Sequence, residues 1–523
     1  MEIDKNSALR NCLYEKPYTI APNLTGTIPP WLRGSYILNG PGRMKYGDSE
    51  FNHVFDGSAL LQKFTFSEIG ITYSSKFLRS FAYTSNSENE SIVVSEFGTC
   101  GKSAAKGKMA KLGEKFAFDR LFSDNAPIAL EKYGGDWYAV TEAPFLHKID
   151  PTTLETISKV DLHKELNINS QCPHPHLMPD GSSYTILHAV GATGPKYDIV
   201  KIPPKPLDGK SNVFAKPEKV ASVDARWKMN PCHMHSFGVT EKHIVILEQP
   251  LTIDVMAMVA NTVKEKPFIG GMEWKENKLV KIHLVNRETG KQVKQKIKCE
   301  AFFYMHIVNA YEKDNHLVID LNAYEKADLL HAFYLKNLRE NGKSLASSLD
   351  VGAVKRIVIP MDVNDKAAPE MNQVMLAGSK AKAFRQKDGD LILTPEILHN
   401  MSLEIPAMNQ NYAGKKYQYF WGAHGDLHKA QGKVGKLNVD TQEIKMWGED
   451  GLYASVVQFV PRPGATAEDD GVVTVSCLHG GTNSRNKVTA VILNGADLTE
   501  IARSTFTAPS DTPRSLHGTF LPA

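Results

Sequence analysis

Eighteen histidines, in a chain lacking the usual catalytic signatures, direct attention to metal chemistry. The sequence has no G-x-G-x-x-G opening a helix, no G-x-x-x-x-G-K-[ST] loop, no H-E-x-x-H and no G-x-S-x-G. Several histidines instead sit where a ring could reach a common centre. These are His174 and His176 in CPHPHLMPDG, His233 and His235 in NPCHMHSFG, His306 in FFYMHIVNAYE and His517 in RSLHGTFLP. In HPH and in HMH the two histidines lie two apart, so on a strand both would share one face. Local spacing therefore leaves the choice within each pair open. A single histidine in a β protein is usually a surface or hydrogen-bonded core residue. The spread is more suggestive, since His174, His235 and His306 are separated by roughly 60 and 70 residues, about one propeller blade plus loops. Residues at equivalent places on successive blades converge on an axis.

The elements that would have to position them are strands. ITYSSKFL (71–78), DWYAVTEA (136–143), HIVILEQ (243–249), HLVIDLNAY (316–324), GVVTVSCL (471–478) and KVTAVIL (487–493) are rich in Val, Ile, Thr and aromatics and bounded by turn formers. A strand ending in Asp or Asn, a polar turn and a new strand recur as HKIDPTTLET, IHLVNRETGKQV, LNVDTQEIKMW and VILNGADLTEIA. Asp and Asn suit these turns because their side chains bond nearby backbone and tolerate left-handed φ. Repeated hairpins over this length predict an all-β fold, a β-propeller, with a large β-sandwich as the alternative on pattern alone. Helical periodicity is rare, and 325–341 is its best candidate. No linker divides the chain, so residues 1–523 read as one domain, with the Lys/Ala-rich stretch 101–118 as an insertion.

Composition narrows the function classes. Sixty-one basic residues against 58 acidic ones give a net charge of +3, which offers no reason to expect nucleic acid. The six cysteines are scattered without a C-x-x-C pair, as in a reduced, cytoplasmic protein. The polar N-terminus resembles neither a signal nor a transit peptide, and no apolar run approaches the ~18 residues of a membrane span. Two stretches nevertheless place Lys beside large apolar residues, 102–122 and 251–268, a composition that fits peripheral contact with a membrane.

The segments PPWLRGSYILNGPGRM (29–44), FNHVFDGSALLQKFTF (51–66), HPH (174–176), MHSFG (234–238), MHIVNAYE (305–312), EDDG (468–471) and SLHGTF (515–520) resemble the carotenoid cleavage oxygenase family, in that family's order. The resemblance implies a seven-bladed propeller with a helical cap and an axial iron(II) centre held by His174, His235, His306 and His517. His176, His233 and His479 then keep structural roles, and Phe55-Asp56-Gly57 sets a turn. Four neutral imidazoles would satisfy iron(II) without adding charge and leave positions open for O2, unlike a two-histidine-one-carboxylate site. By the same resemblance Glu142 (AVTEAPF) and Glu404 (SLEIPAM) accept the outer ring N–H of ligating imidazoles. A third such glutamate is missing. Aligned back from EDDG, its place falls on Val456 in YASVVQFV, which leaves the support of His517 in question.

MHSFG followed by HIVILEQPL, together with RWKMNPCHMH and EAFFYMHIVNAYE, is similar to the animal members, the β-carotene oxygenases and the insect carotenoid isomerooxygenase type. That similarity implies addition of dioxygen across the central 15,15' double bond of an all-trans carotenoid or xanthophyll, giving retinal-type aldehydes of use in vision. In the insect type this is coupled to 11-cis isomerisation. Eccentric cleavage without isomerisation, or retinyl-ester isomerohydrolysis, would use the same histidine frame. A non-enzymatic carotenoid-binding propeller is the alternative from another class, although a scaffold has no need of four such histidines.

Overall fold

Alternating β-branched and aromatic residues behave as their pattern predicts. In a computed structural model the described residues, 10–523 apart from 21–22, 103–121, 192, 207–211, 265, 341–350, 365, 367 and 427–430, form an all-β protein with a few short helices. The six strand-like runs lie within or overlap Gly70–Phe77, Asp136–Val140, His243–Glu248, His316–Tyr324, Gly471–His479 and Lys487–Asn494. His316–Tyr324 is buried at every position, as a strand covered on both faces must be.

Three of the four turn motifs join adjacent antiparallel strands directly, pairing Phe145–Ile149 with Thr156–Asp161, Gln431–Asn438 with Ile444–Trp447, and Lys487–Asn494 with Glu500–Thr507. In the fourth, Val280–Asn286 continues past its turn through a Val285–Gln292 bridge to Ile297–Cys299. Asn286 and Asn438 both accept backbone N–H groups within their turns, the bonding expected of Asn at these places.

The described strands pair into eight sheets of two to nine strands. The last strand, His517–Pro522, does not hang free. It pairs antiparallel with Gly34–Arg43, setting His517 opposite Asn39 and Pro522 opposite Gly34. The C-terminus thus completes the sheet that the N-terminal segment begins, and His517 is carried at the first residue of that closing strand. The largest apolar cluster among the described residues is built from the strands themselves, from Val245 through Tyr304, Leu317 and Ile357 to Val439, and includes Tyr304 and Val308 on the strand bearing His306.

The helix expected over 325–341 forms as two pieces, Asp328–Ala332 and Leu335–Glu340. The break has a cause in the backbone. Phe333 O accepts from Val54 N, Leu335 N donates to Asn52 O, and Tyr334 bridges His53, so Phe333 O and Leu335 N are lost to a continuous helix. The stretch 251–268 folds as a short strand, Leu251–Ile253, and a helix, Val255–Val263, capped by the Asp254 carboxylate on Ala257 N. Most of 102–122 lies outside the described residues, as does most of the 101–118 stretch. Among the described residues no helix is long and apolar enough to cross a membrane.

Candidate metal centre

His174, His235, His306 and His517 come from four separate parts of the chain, and each is aimed by a local device. His174 lies between Pro173 and Pro175 in the connection from Ser170–Gln171 to His176–Leu177; proline fixes its own φ and restricts the residue before it. His235 precedes the strand Gly238–Val239, and its carbonyl accepts from the buried Cys172 thiol at 3.0 Å, which ties the two loops together. His306 sits in Phe303–Lys313, where the pairing with His316–Tyr324 shifts between Tyr304 and Ile307 and again before Asn309. Such bulges re-aim a side chain without ending the strand. His517 is held by the closing strand, and Leu516 N bonds Asn39 O beside it.

The outcome is a cluster of four imidazoles. The Nε2 atoms of His174 and His235 lie 3.1 Å apart, those of His306 and His517 3.3 Å apart, and one nitrogen of each ring falls within 4.8 Å of all the others. A metal–imidazole bond of roughly 2.1 Å would set neighbouring nitrogens about 3 Å apart, so this donor set fits one first-row metal ion. Burial and the adjacent rings hold His174 and His517 well below the ordinary histidine range, and burial lowers His235 too. These three rings are therefore neutral near pH 7, the form that offers a lone pair.

Behind the rings stand carboxylates. His235 Nδ1–H donates to Glu142 Oε1 at 2.7 Å, and His306 Nδ1–H to Glu404 Oε2 at 2.7 Å. Burial alone would raise the Glu142 carboxyl, but His233 and His235 together hold it below its ordinary range. Glu404 is lowered likewise against its burial, by His306 and by the Tyr324 hydroxyl, which donates to Oε1 at 2.7 Å. The backbone at Glu404 is unusual. The pairing shifts between Glu404 and Ala407, and Ile405 has φ +53°. A β-branched residue in that region costs on the order of 1–3 kcal/mol, strain that accompanies the placement of the Glu404 side chain.

The two histidine pairs resolve differently. HPH is not a continuous strand, so its members part company: His174 enters the cluster, whereas His176 Nε2–H donates to Phe237 O at 2.8 Å. HMH keeps both rings on one side, 6.3 Å apart and nearly parallel, and both reach Glu142. His233 bonds the carboxylate through Nε2, at 3.0 and 3.1 Å, and stays outside the cluster of four. His479 bonds Thr489 Oγ1 at 2.7 Å. Asp56 of the Phe55-Asp56-Gly57 turn is wholly buried and accepts from Gly98 N and Thr99 Oγ1, fastening a neighbouring loop.

Sequence reasoning missed Glu131. From the strand Ala129–Tyr133 its Oε1 lies 3.4 Å from His174 Nδ1, a long contact beside the 2.7 Å bonds of Glu142 and Glu404. Burial pushes the Glu131 carboxyl well above its usual range. A Glu-Lys pair inside a short strand was its only signal. Val456 is fully buried in an apolar cluster with Tyr36 and Leu38, and no carboxylate reaches His517 among the described residues.

Beside the imidazoles opens a cavity of about 660 Å³ whose wall includes His235, His306 and His517. Most of its surface is apolar, from side chains such as Phe55, Phe97, Phe268, Met305, Phe333 and Leu516. That size and lining suit a largely hydrophobic ligand.

Fold and site define a class: an all-β protein presenting four buried imidazoles to one point at the edge of an apolar cavity. Residues 9–522 match the family described as RPE65: Retinal pigment epithelial membrane protein, and the chain belongs to that family. It is 36% identical to the carotenoid isomerooxygenase of Galleria mellonella, over 99% of this chain and 97% of that protein. It is also 36% identical to the β,β-carotene 15,15'-dioxygenase of Gallus gallus, over 97% of this chain and 96% of that protein. Among solved structures, cobalt-substituted Synechocystis ACO superposes with a TM-score of 0.76 at 20% identity, covering 99% of this chain and 98% of that one, a likeness of fold.

Proposed function

We propose that this protein is an iron(II)-dependent dioxygenase that cleaves a double bond of a carotenoid, with His174, His235, His306 and His517 as the metal ligands. The observation that carries this reading is the convergence of four imidazole nitrogens within 4.8 Å at the wall of an apolar cavity. Family membership and full-length similarity to proteins named for carotenoid cleavage support it. The reaction adds both atoms of O2 across one C=C bond, breaks that bond and leaves two aldehydes. Iron, when bound, supplies the activation of O2. The chain's own residues do the rest. Glu142 and Glu404 fix the rings of His235 and His306, the Tyr324 hydroxyl keeps Glu404 turned, and the aromatic wall orients the polyene and excludes water.

The bond attacked is, in this reading, the central 15,15' bond of an all-trans carotenoid or xanthophyll, with isomerisation of one product to the 11-cis form. The Galleria and Gallus relatives, named for isomerooxygenation and 15,15' cleavage, motivate both halves. The fold in this proposal is one domain, a seven-bladed propeller closed by the strand His517–Pro522 and capped over the metal by loops and short helices. The protein works in the cytoplasm against a membrane surface, from which a water-insoluble polyene must be drawn. The helix Val255–Val263 suits that contact, because Met256 is 64% exposed while Val255 and Met258 line the cavity.

The test is metal analysis of the purified protein followed by chromatography of the products from several all-trans carotenoids. One iron per chain and C20 aldehydes are expected. Iron-free protein whose activity is indifferent to added Fe(II), or products of unequal length, would overturn the metal or the bond assignment. Flotation with liposomes at low and high salt checks the membrane contact; no flotation at either salt, with activity on micellar substrate retained, removes it.

A further inference from the structure

Every acid in the cavity wall is already engaged. Glu96 accepts from Ser123 Oγ at 2.6 Å, Glu142 serves two histidines, and Glu404 serves His306 and Tyr324. Among the described residues two cations of the same wall have no such partner, and of these Lys266 is exposed and solvated whereas Arg514 is drawn in from solvent. Arg514 lines the cavity three residues before His517, and among the described residues no hydrogen bond or ion pair reaches its guanidinium. Other arginines removed from solvent are matched here. Buried Arg356 holds Asp320 through two bonds of 2.7 Å, and half-buried Arg485 and Arg503 pair with Asp511 and Glu449. A guanidinium left in an apolar wall without an acceptor is costly, so such groups are normally paired or bound to something.

The backbone around Arg514 is fixed, so its direction is not that of a loose surface arm. Gln62 Nε2 donates to Pro513 O and to Ser515 Oγ, Ser455 Oγ donates to Ser515 O, and Thr512 N and Leu516 N bond Arg485 O and Asn39 O. The guanidinium lies over Gly425, where a methyl group would stand 3.7 Å from Nη1 and 3.8 Å from Nη2. Arg514 and His517, three residues apart in the chain, line the same cavity, so this cation and the metal ring share one site.

We propose that Arg514 binds an oxygen-bearing terminus, a carboxylate or carbonyl, of an otherwise apolar polyene held in the cavity beside the metal ring. The planar fork of donors matches a carboxylate through two bonds and a carbonyl through one, and a desolvated site strengthens either. A pure hydrocarbon leaves the fork unsatisfied. Between polyenes of equal length the cavity therefore discriminates by chain end, in favour of the one ending in oxygen. This inference takes the cavity to be the polyene site of the reading above, and its test measures binding without turnover.

The probes are retinoic acid and axerophthene, the same polyene ending in a carboxylate or in a methyl group, titrated by quenching of tryptophan fluorescence into the iron-loaded full chain. Wild type is expected to bind the acid at least tenfold more tightly than the hydrocarbon. Arg514→Met should lose that preference and keep its affinity for axerophthene, and Arg514→Lys should retain part of it. Iron content and melting temperature are recorded for each variant. Equal affinity of wild type for the two probes overturns the proposal even if Arg514→Met does not fold, and so does an unchanged preference in Arg514→Met. Failure of carotenoid cleavage leaves these binding constants readable, so the two readings fail separately.

Discussion

The imidazole cluster has two unlike halves. His235 and His306 are each backed by a carboxylate at 2.7 Å, whereas His174 has only the 3.4 Å contact to Glu131 and His517 has no carboxylate among the described residues. The first half is over-determined. Glu142 is shared between two histidines, and Glu404 is held by Tyr324 beside a strained Ile405. The second half depends on backbone placement, by prolines around His174 and by the closing strand at His517. Outer partners fix the tautomer and orientation of a ligand and raise its basicity. The difference teaches that one scaffold can hold two imidazoles stiffly and two with latitude.

The comparison can be broken first at the ligands themselves. Alanine at His235 or His306 should remove most bound iron and lower turnover by more than about 100-fold, as loss of a ligand does beyond the ~10–100-fold cost of losing an outer partner. His176→Ala, which removes a ring bonded to Phe237 O, should leave metal content near wild type. Elemental analysis decides; an emptied site in His176→Ala with a filled one in His174→Ala reverses the assignment within HPH. Chelation should silence the wild type, and Fe(II) should restore it.

The next effect sharpens the contrast between halves. Glu142→Gln and Glu404→Gln should weaken iron binding by about 10–100-fold, because an amide accepts the ring proton without supplying charge. Glu131→Gln should cost less than ~10-fold, in keeping with its longer contact. Competition with a chelator measures all three, and equal losses would mean that the halves do not differ.

The smallest expected change is at Val456. A carboxylate there enters an apolar cluster with Tyr36 and Leu38, so Val456→Glu should lower the melting temperature of the metal-free protein. If the new group meets His517 Nδ1, iron binding tightens a few-fold and recovers part of that loss. Calorimetry with and without iron separates the two contributions. Unchanged iron affinity in a folded variant places Val456 out of reach of His517.

Much of this protein is legible in its sequence because strand formation and turn chemistry are local. The apolar, β-branched runs in HIVILEQ and HLVIDLNAY, and the Asn and Asp turns at 286 and 438–440, announce the all-β class and several of its turns. Period-two reasoning also put His233 and His235 on one side, as they are. It failed at HPH, where two prolines prevent a regular strand and the rings diverge. Helical periodicity overran at 325–341, where backbone bonds to 52–54 interrupt the pattern.

The sequence alone determined which residue types were available: four histidines in spaced segments, two glutamates, a valine where a carboxylate was expected and strands enough to carry them. Only the tertiary structure decided who meets whom. Glu131 and His174 are 43 positions apart, Glu142 and His235 93, and Glu404 and His306 98. Nor could any local pattern show that Arg514 would face a cavity whose acids are all occupied. Periodicity assigns a side chain to a face. Its partner across that face depends on sheet packing, bulges and strand closure, which arise from contacts between distant parts of the chain.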